Sequence, residues 1–169
     1  LPLQVLRKPI FWHPTTTADY NLVSGMPTFY FEMPDNNGGP ARSFYGFPSI
    51  DNETLKVAEH SGGTTVSDPW FVDRECRQED SQPIAQFVQS CLPKLSPQAA
   101  QQAVCLYTVT PDRHFVVDRH PQHPNVAIGC GFSGHGFKFT SVVGEVLADL
   151  ATIGHTNQPI GFLGLSRLR

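Results

Sequence analysis

The first sixty residues consist of short apolar runs separated by clusters of proline, glycine and asparagine. The runs are rich in β-branched and aromatic side chains, which is typical of β-strands, and the intervening breakers end each run early. The pattern predicts a mostly antiparallel sheet with strands at 3–12, 27–33, 42–48 and 54–60, a turn at 34–40, and an end to the strand series at 61–63.

Helical spacing begins in the second half of the chain. Residues 81–92 place apolar side chains on one helix face, Ser81 is the predicted N-cap, and Pro93 ends the run. Strands are predicted at 101–109, 114–118 and 125–130, and a last helix at 141–151. A sheet, then a helix, then a hairpin with a strand-loop-helix segment predicts an α+β fold.

The most distinctive stretch is Asn125–Phe139, where a short apolar strand breaks into four glycines before the last helix. Glycine lacks Cβ and lets the backbone approach a flat or anionic ligand closely. The N-terminus of the following helix would direct N–H groups and a positive partial charge at the same loop. We therefore expect a cofactor site here, and a ligand-free tight turn is the alternative.

Two nucleotide-binding motifs come close to matching this stretch. Gly129–Gly134 reads G-x-G-x-x-G, the dinucleotide pattern, but only about eighteen residues follow the last helix, too few for the second parallel strand of a Rossmann unit. A P-loop fails because Lys138 is followed by phenylalanine and not by serine or threonine. Neither motif explains the loop by itself.

Composition limits the partners and the compartment. The chain has 169 residues, a net charge of −3 and no run of basic residues, which excludes the electrostatic signature of nucleic-acid or anionic-membrane binding. Four scattered cysteines form no C-x-x-C pair, so we expect neither a zinc site nor a disulfide framework. Unpaired cysteines are typical of a reducing compartment, so we expect a cytoplasmic location. Because the chain starts at Leu1, we expect a fragment. The histidines are interpreted as surface-turn residues and not as metal ligands: His13, His114, His120, His123 and His155.

Read together, several blocks resemble one known family. Gly131–Phe139, with Cys105–Asp112 and Val116–Pro121 upstream, resembles the C-terminal half of the monomeric sarcosine oxidases and N-methyltryptophan oxidases, which are FAD-dependent amine oxidases. Further matching blocks lie at 44–48, 55–56, 60–63, 159–160 and 165–167. The resemblance implies a substrate-binding domain over 1–104, mostly antiparallel sheet plus helix, and a segment over 105–169 that contributes a strand-loop-helix part to a split FAD-binding domain. The N-terminal Rossmann half would be absent.

The same resemblance implies roles for individual residues. Cys105 would attach FAD covalently, and Lys56 would activate oxygen beside the flavin. Tyr45, His60 and Tyr107 would shape the substrate pocket and share the catalytic work with Lys56. Lys138 would hold the substrate carboxylate and lie near the flavin. The remaining implied cofactor-binding residues are Gly131, Phe132, Ser133, Gly134, His135, Gly136 and Phe137.

Strand periodicity adds an independent constraint on these side chains. Alternation places Lys56, Ala58 and His60 on one face of their strand, so the lysine and the histidine can address the same ligand. It likewise places Cys105 and Tyr107 on a common face.

The implied activity is oxidation of the C–N bond of an N-methyl amino acid by O2, giving H2O2, formaldehyde and the primary amino acid. The substrate would be of the sarcosine or N-methyltryptophan type. Two alternatives stay open: a flavin-free, catalytically inert remnant of such an oxidase, and an NAD-dependent dehydrogenase that uses the glycine-rich loop.

Overall fold

The computed structural model describes residues 1–34 and 39–168. These residues form two compact units: Arg7–Thr64 with Asp68–Cys105, and Leu1–Leu6 with Thr65–Ser67 and Leu106–Arg169. We refer to them as the sheet unit and the loop unit. The middle of the turn predicted at 34–40 lies outside the described residues.

Strands and helices follow the predicted order. The strands are β1 (Gln4–Pro14), β2 (Phe29–Met33), β3 (Arg42–Phe47), β4 (Thr54–Glu59), β5 (Thr64–Val66), β6 (Gln101–Val109), β7 (Val116–Arg119) and β8 (Ala127–Cys130). The helices are α1 (Gln78–Cys91) and α2 (Thr140–Thr152). Short 3₁₀ turns lie at Ala18–Tyr20, Leu22–Ser24, Pro69–Phe71, Phe137–Phe139, Gly161–Leu163 and Leu165–Leu168.

The sheet unit is built on antiparallel strands in the order β2-β3-β4-β1. The register places Lys56 of β4 opposite Trp12 of β1 on one side and Phe47 of β3 on the other. Residues directly opposite across an antiparallel pair point to the same face of the sheet. One register therefore decides which side chains can share a site.

The two faces of this sheet have different surroundings. Leu55 and Val57 of β4 are fully buried and join α1 residues such as Phe87 in the core. The Phe87 ring stacks on Phe44 of β3 with centroids 4.5 Å apart. Lys56 alternates with these two buried residues and lies on the opposite face, as the period of a strand requires.

Helix α1 begins earlier than the sequence pattern indicates. The predicted N-cap, Ser81, is wrong: the helix starts at Gln78. The Asp80 carboxylate accepts a hydrogen bond from the Arg77 backbone N–H at 2.9 Å and forms a nearly buried ion pair with Arg7 at 2.8 Å. The helix start is therefore capped locally by Asp80, and the ion pair of Asp80 with Arg7 ties it to β1.

The loop unit packs α2 against the antiparallel β7-β8 hairpin. Its core contains Val117 of β7, Val146 and Leu150 of α2, and Leu163. The C-terminal turn is fastened by Arg167, which pairs with Asp112 at 2.7 Å and donates to the carbonyl of Phe115. This hairpin and helix hold the glycine-rich stretch between them.

The α+β fold predicted from the sequence is confirmed, with antiparallel sheets throughout the described pairings. The expected end of the strand series at 61–63 is wrong, because the short strand β5 follows at Thr64. The functional division at 104/105 stays a prediction. It rests on expected roles, whereas the two units are defined by contacts.

Candidate functional site

Six side chains of the sheet unit form what we call the aromatic face: Trp12, Tyr30, Tyr45, Phe47, Lys56 and His60. Each member contacts at least one other member of the group. The imidazole of His60 makes edge contacts with Tyr30 at 5.8 Å and Tyr45 at 6.4 Å between centroids, and Tyr45 meets Phe47 edge-on at 5.9 Å. The structure thus links three of the predicted site residues, Lys56, His60 and Tyr45, through contacts within this group.

Lys56 is held by aromatic rings. Its Nζ lies 5.3 Å from the centroid of Phe47 and 5.8 Å from that of Trp12. Such cation–π contacts stabilise an ammonium by about 0.5–2 kcal/mol depending on desolvation. Within the described part of the chain, no carboxylate forms an ion pair with Lys56. The positive charge is therefore not neutralised locally and can stabilise negative charge that develops on a ligand.

His60 lies at the end of β4, where the backbone turns. Its N–H donates to the carbonyl of Ser43 at 2.7 Å, which fixes the backbone on one side. The ring then meets Tyr30 and Tyr45. A polar ring bordered by two phenol-bearing side chains can orient a small ligand by hydrogen bonding and aromatic contact.

A cavity of about 730 Å³ lies in the loop unit, bordered by β6, the glycine loop (Gly129–Gly136) and the start of α2. Its lining combines apolar side chains with backbone and has no charged group among the described residues. The lining includes Leu106, Tyr107, Thr108, Phe132, Ser133, Phe137, Thr140, Val143 and Leu147. Its volume lies within the range of cofactor and ligand pockets, about 300–1,000 Å³.

Close packing against aromatic rings explains two of the loop glycines. Gly134 has φ +82°, and a Cβ there would lie 2.2 Å from the Tyr107 ring. A Cβ on Gly136 would lie 2.6 Å from Cβ of Phe132. The flat partner that the glycine pattern indicates thus includes the protein's own rings. Tyr107 is thereby fixed at the cavity wall.

Ser133 holds the loop in place from inside. It is 2% exposed and has φ +51°, a region that disfavours residues other than glycine. Its backbone N–H donates to the carbonyl of Thr108 at 2.9 Å, and its hydroxyl donates to the carbonyl of Gly131 at 3.1 Å. The hydroxyl also accepts from the N–H of Thr110 at 3.4 Å. These bonds tie the loop to β6, so Ser133 has a structural role in this unit.

The predicted loop residues divide between two cavities. Gly131, Phe132, Ser133, Gly134, Gly136 and Phe137 line the 730 Å³ cavity. His135 instead lines a second cavity of about 320 Å³, where its ring lies 4.8 Å from that of Phe115. Lys138 belongs to neither lining and places its Nζ 5.5 Å from the centroid of Phe139.

The four cysteines are free thiols, and Cys105 on β6 is the exposed one. Burial raises the pKa of the Cys76 and Cys130 thiols, which makes them poorer nucleophiles. Cys105 is accordingly the thiol most open to a covalent partner.

One histidine expectation is wrong. His13 is not a surface-turn residue: it lies in β1, is 1% exposed, and places Nδ1 2.8 Å from the carbonyl oxygen of Ser96. Burial lowers the pKa of its imidazole.

In the described part of the chain, no group of three or more His, Cys, Asp or Glu side chains could hold a metal ion. No helix described there is long and apolar enough to cross a membrane.

The family model described as FAD dependent oxidoreductase (DAO) matches residues 14–150. The chain belongs to this family. Monomeric sarcosine oxidase of Bacillus sp. (strain NS-129) is 42% identical over 169 residues, 99% of this chain and 42% of the relative. N-methyl-L-tryptophan oxidase of Citrobacter koseri is 34% identical over 161 residues, 89% of this chain and 39% of the relative. The chain therefore spans less than half the length of these relatives.

Solved structures agree on the fold. The open form of NikD, an unusual amino acid oxidase essential for nikkomycin biosynthesis, superposes with a TM-score of 0.75 over 97% of this chain and 42% of that one. The sequences are 18% identical. This chain therefore has the fold of the corresponding part of NikD.

The residues present fit the FAD of the family. A flat ring system needs a wide apolar cavity with backbone groups near it, and the 730 Å³ cavity offers both. The first residues of α2, Thr140 and Val143 among them, also line this cavity. The exposed Cys105 thiol is open to covalent attachment.

The sequence did not identify three members of the aromatic face: Trp12, Tyr30 and Phe47. They are distant from Lys56 in sequence and meet it or its neighbours through strand pairing. Only the sheet register could have revealed them. Alternation would then have placed all three on the face of Lys56.

Proposed function

We propose that this chain is the C-terminal part of an FAD-dependent oxidase that acts on the C–N bond of an N-methyl amino acid of the sarcosine or N-methyltryptophan type. The overall reaction would convert the amine, O2 and water into the primary amino acid, formaldehyde and H2O2. The observation that carries the proposal is the aromatic face, where Lys56 and His60 lie among aromatic rings in a member of this family.

FAD, when bound, would accept two electrons from the amine and pass them to oxygen. Cys105 would hold it covalently, and its exposed thiol supports that role. The glycine loop and the residues through Lys138 would bind the cofactor noncovalently. Backbone N–H groups and the positive end of α2 would favour negative charge on it.

Lys56 would act on oxygen. Reduction of O2 builds negative charge, and an ammonium that is held by rings and has no carboxylate partner stabilises that charge directly. The rings of Trp12 and Phe47 keep the ammonium in place at low entropic cost because they are themselves fixed in the sheet. A neutral side chain of the same length would keep the packing and lose this effect.

Tyr45 and His60 would bind and orient the amine. Lys138 would hold the substrate carboxylate as a point charge. Tyr30, which is 55% exposed and touches His60, adds an aromatic surface to the same group.

The chain without the rest of its relatives' length would be a flavin-free, inactive remnant. This alternative concerns the isolated polypeptide and is compatible with the role proposed for the longer protein. An NAD-dependent dehydrogenase is a weaker candidate because the glycine loop packs its own rings, and the family is FAD-dependent.

The test is an oxidase assay on the longer polypeptide that carries this chain, with sarcosine and N-methyltryptophan as substrates. We expect H2O2 and formaldehyde in equal amounts. Lys56→Met should lower the rate with O2 at least about tenfold, while the rate with an artificial dye acceptor changes much less. Lys94→Met is the matched control, because Lys94 is exposed and pairs with Asp19.

Absence of formaldehyde with every N-methyl amino acid would contradict the proposed reaction. Equal losses with O2 and with dye would contradict the oxygen role of Lys56 and leave the reaction class intact.

A further inference from the structure

Lys8 is a buried cation that none of the roles above uses. It lies in β1 and is 3% exposed, although lysine is almost never fully buried unless it is paired. Its Nζ donates to three consecutive carbonyl oxygens, those of His60 at 3.2 Å, Ser61 at 2.7 Å and Gly62 at 3.2 Å. Three donors of one ammonium therefore match three acceptors of one turn.

The turn can present its carbonyls to one point because two glycines shape it. Gly62 has φ +61° and Gly63 has φ +117°, and residues with a Cβ rarely adopt either value. The turn follows directly after β4, so its first carbonyl belongs to His60 itself. Lys8 thus binds the backbone of a residue on the aromatic face.

A second set of contacts holds the other side of the same turn. The Ser61 hydroxyl donates to Glu59 at 2.6 Å and accepts from the N–H of Ser43 at 3.0 Å. Glu59 in turn pairs with Arg42. The His60 N–H donates to the carbonyl of Ser43. The amide hydrogen and the carbonyl oxygen of His60 are therefore both fixed, the first by β3 and the second by Lys8.

Position along the sheet makes this arrangement relevant to the site. In the β1-β4 register, Trp12 lies opposite Lys56 and Ile10 opposite Ala58. Lys8 precedes Ile10 by two residues, and its Nζ reaches the carbonyl of His60, which follows Ala58 by two residues. Burial of an ammonium is costly unless its hydrogen bonds are satisfied, and here they are satisfied by the turn that carries the histidine.

We propose that Lys8 is a positioning residue for His60: by gathering the carbonyls of residues 60–62, it sets where the imidazole stands against Tyr30 and Tyr45, and thereby the binding of the amine substrate. The second half of this inference rests on the function proposed above. The first half concerns the chain alone.

The first test is NMR of the chain itself, with labelled histidine. The His60 ring lies at the edges of two aromatic rings, so its resonances carry ring-current shifts that depend on its position. Lys8→Met should remove at least half of that shift and speed amide exchange at residues 60–63 at least about tenfold. Lys8→Gln keeps two N–H donors, should change both less, and serves if the methionine variant does not fold. Lys94→Met should change neither.

The second test is the KM of the longer oxidase for its N-methyl amino acid. We expect Lys8→Met to raise KM about tenfold while kcat changes little, with partial recovery in Lys8→Gln. An unmoved His60 ring in a folded Lys8 variant would overturn the positioning role. A moved ring with unchanged KM would overturn its link to substrate. If the wild-type protein oxidises no N-methyl amino acid, the proposed function fails, and the NMR result alone decides the positioning role.

Discussion

Gly134→Ala should destabilise the loop unit more than any conservative change elsewhere on its surface. The residue has φ +82°, where a side chain costs about 1–2 kcal/mol. The new Cβ would also lie 2.2, 2.4 and 2.6 Å from three atoms of the Tyr107 ring. Ordinary carbon contacts are about 3.5–4.0 Å, so the ring must move by more than 1 Å, and such overpacking costs about 1–3 kcal/mol.

The expected total is about 2–5 kcal/mol, measured as the opening free energy of amides in β8 and α2 by hydrogen exchange. Gly144→Ala is the matched control. Gly144 lies inside α2, and beyond its chain neighbours and the helix's own backbone, no atom of the described residues lies within 4 Å of the position that its new methyl group would take. This change should therefore stabilise the helix by about 0.5–1 kcal/mol.

A double-variant cycle separates the two causes. Tyr107→Ala removes the ring that the new methyl group meets, and the backbone strain stays. The pair should therefore couple favourably by about 1–3 kcal/mol. Additivity within about 0.5 kcal/mol would refute the contact between loop and ring as the reason for glycine at this position.

Two further predictions concern pH. Burial lowers the pKa of His13, so the unfolded chain takes up a proton that the folded chain resists, and the free energy of unfolding in urea should fall as pH drops below about 6.5. His13→Phe should flatten this dependence of stability on pH, and the exposed control His155→Asn should not. An unchanged pH dependence in His13→Phe would contradict the assignment to His13. Arg167 holds the pKa of the Asp112 carboxyl well below its usual range, so its stabilising effect is complete above about pH 3.9 and is lost as pH falls through the lower folded value. Arg167→Met should therefore raise the pH midpoint of acid unfolding of the loop unit, whereas Arg113→Met, at an exposed position, should leave that midpoint unchanged. Equal midpoints in the wild type and Arg167→Met would contradict the pairing of Arg167 with Asp112.

The sequence predicted local features well where one chain segment decides them. Strand β6 was predicted at 101–109 and is observed at those bounds, because its apolar run is bordered by polar residues at one end and Thr110-Pro111 at the other. The buried face of α1 at Ile84, Phe87 and Val88 also follows from spacing alone.

Features that depend on distant residues were missed. The first turn of α1 forms an ion pair with Arg7, far earlier in the chain, and the buried His13 places Nδ1 2.8 Å from the carbonyl oxygen of Ser96. Sheet register decides that Trp12 and Phe47 surround Lys56. A single sequence shows the period of each strand and does not show which strands are neighbours.

The glycine loop combines a feature that the local sequence predicts with one that depends on distant residues. Its pattern predicted a ligand close to the backbone, and the structure shows the ring of Tyr107 packed against Gly134, so the ligand stays a prediction. The family match adds a flavin to the expected surroundings, and the roles of Lys56, His60 and Cys105 stay predictions until they are measured.

The most direct test of the whole account is the fate of the flavin on acid precipitation of the longer polypeptide that carries this chain. We predict that yellow colour stays with the pellet and that the peptide containing Cys105 gains the mass of FAD. Cys105→Ser should release the colour, and Cys91→Ser should not. A wild-type pellet without flavin, or flavin on a different residue, would contradict the account.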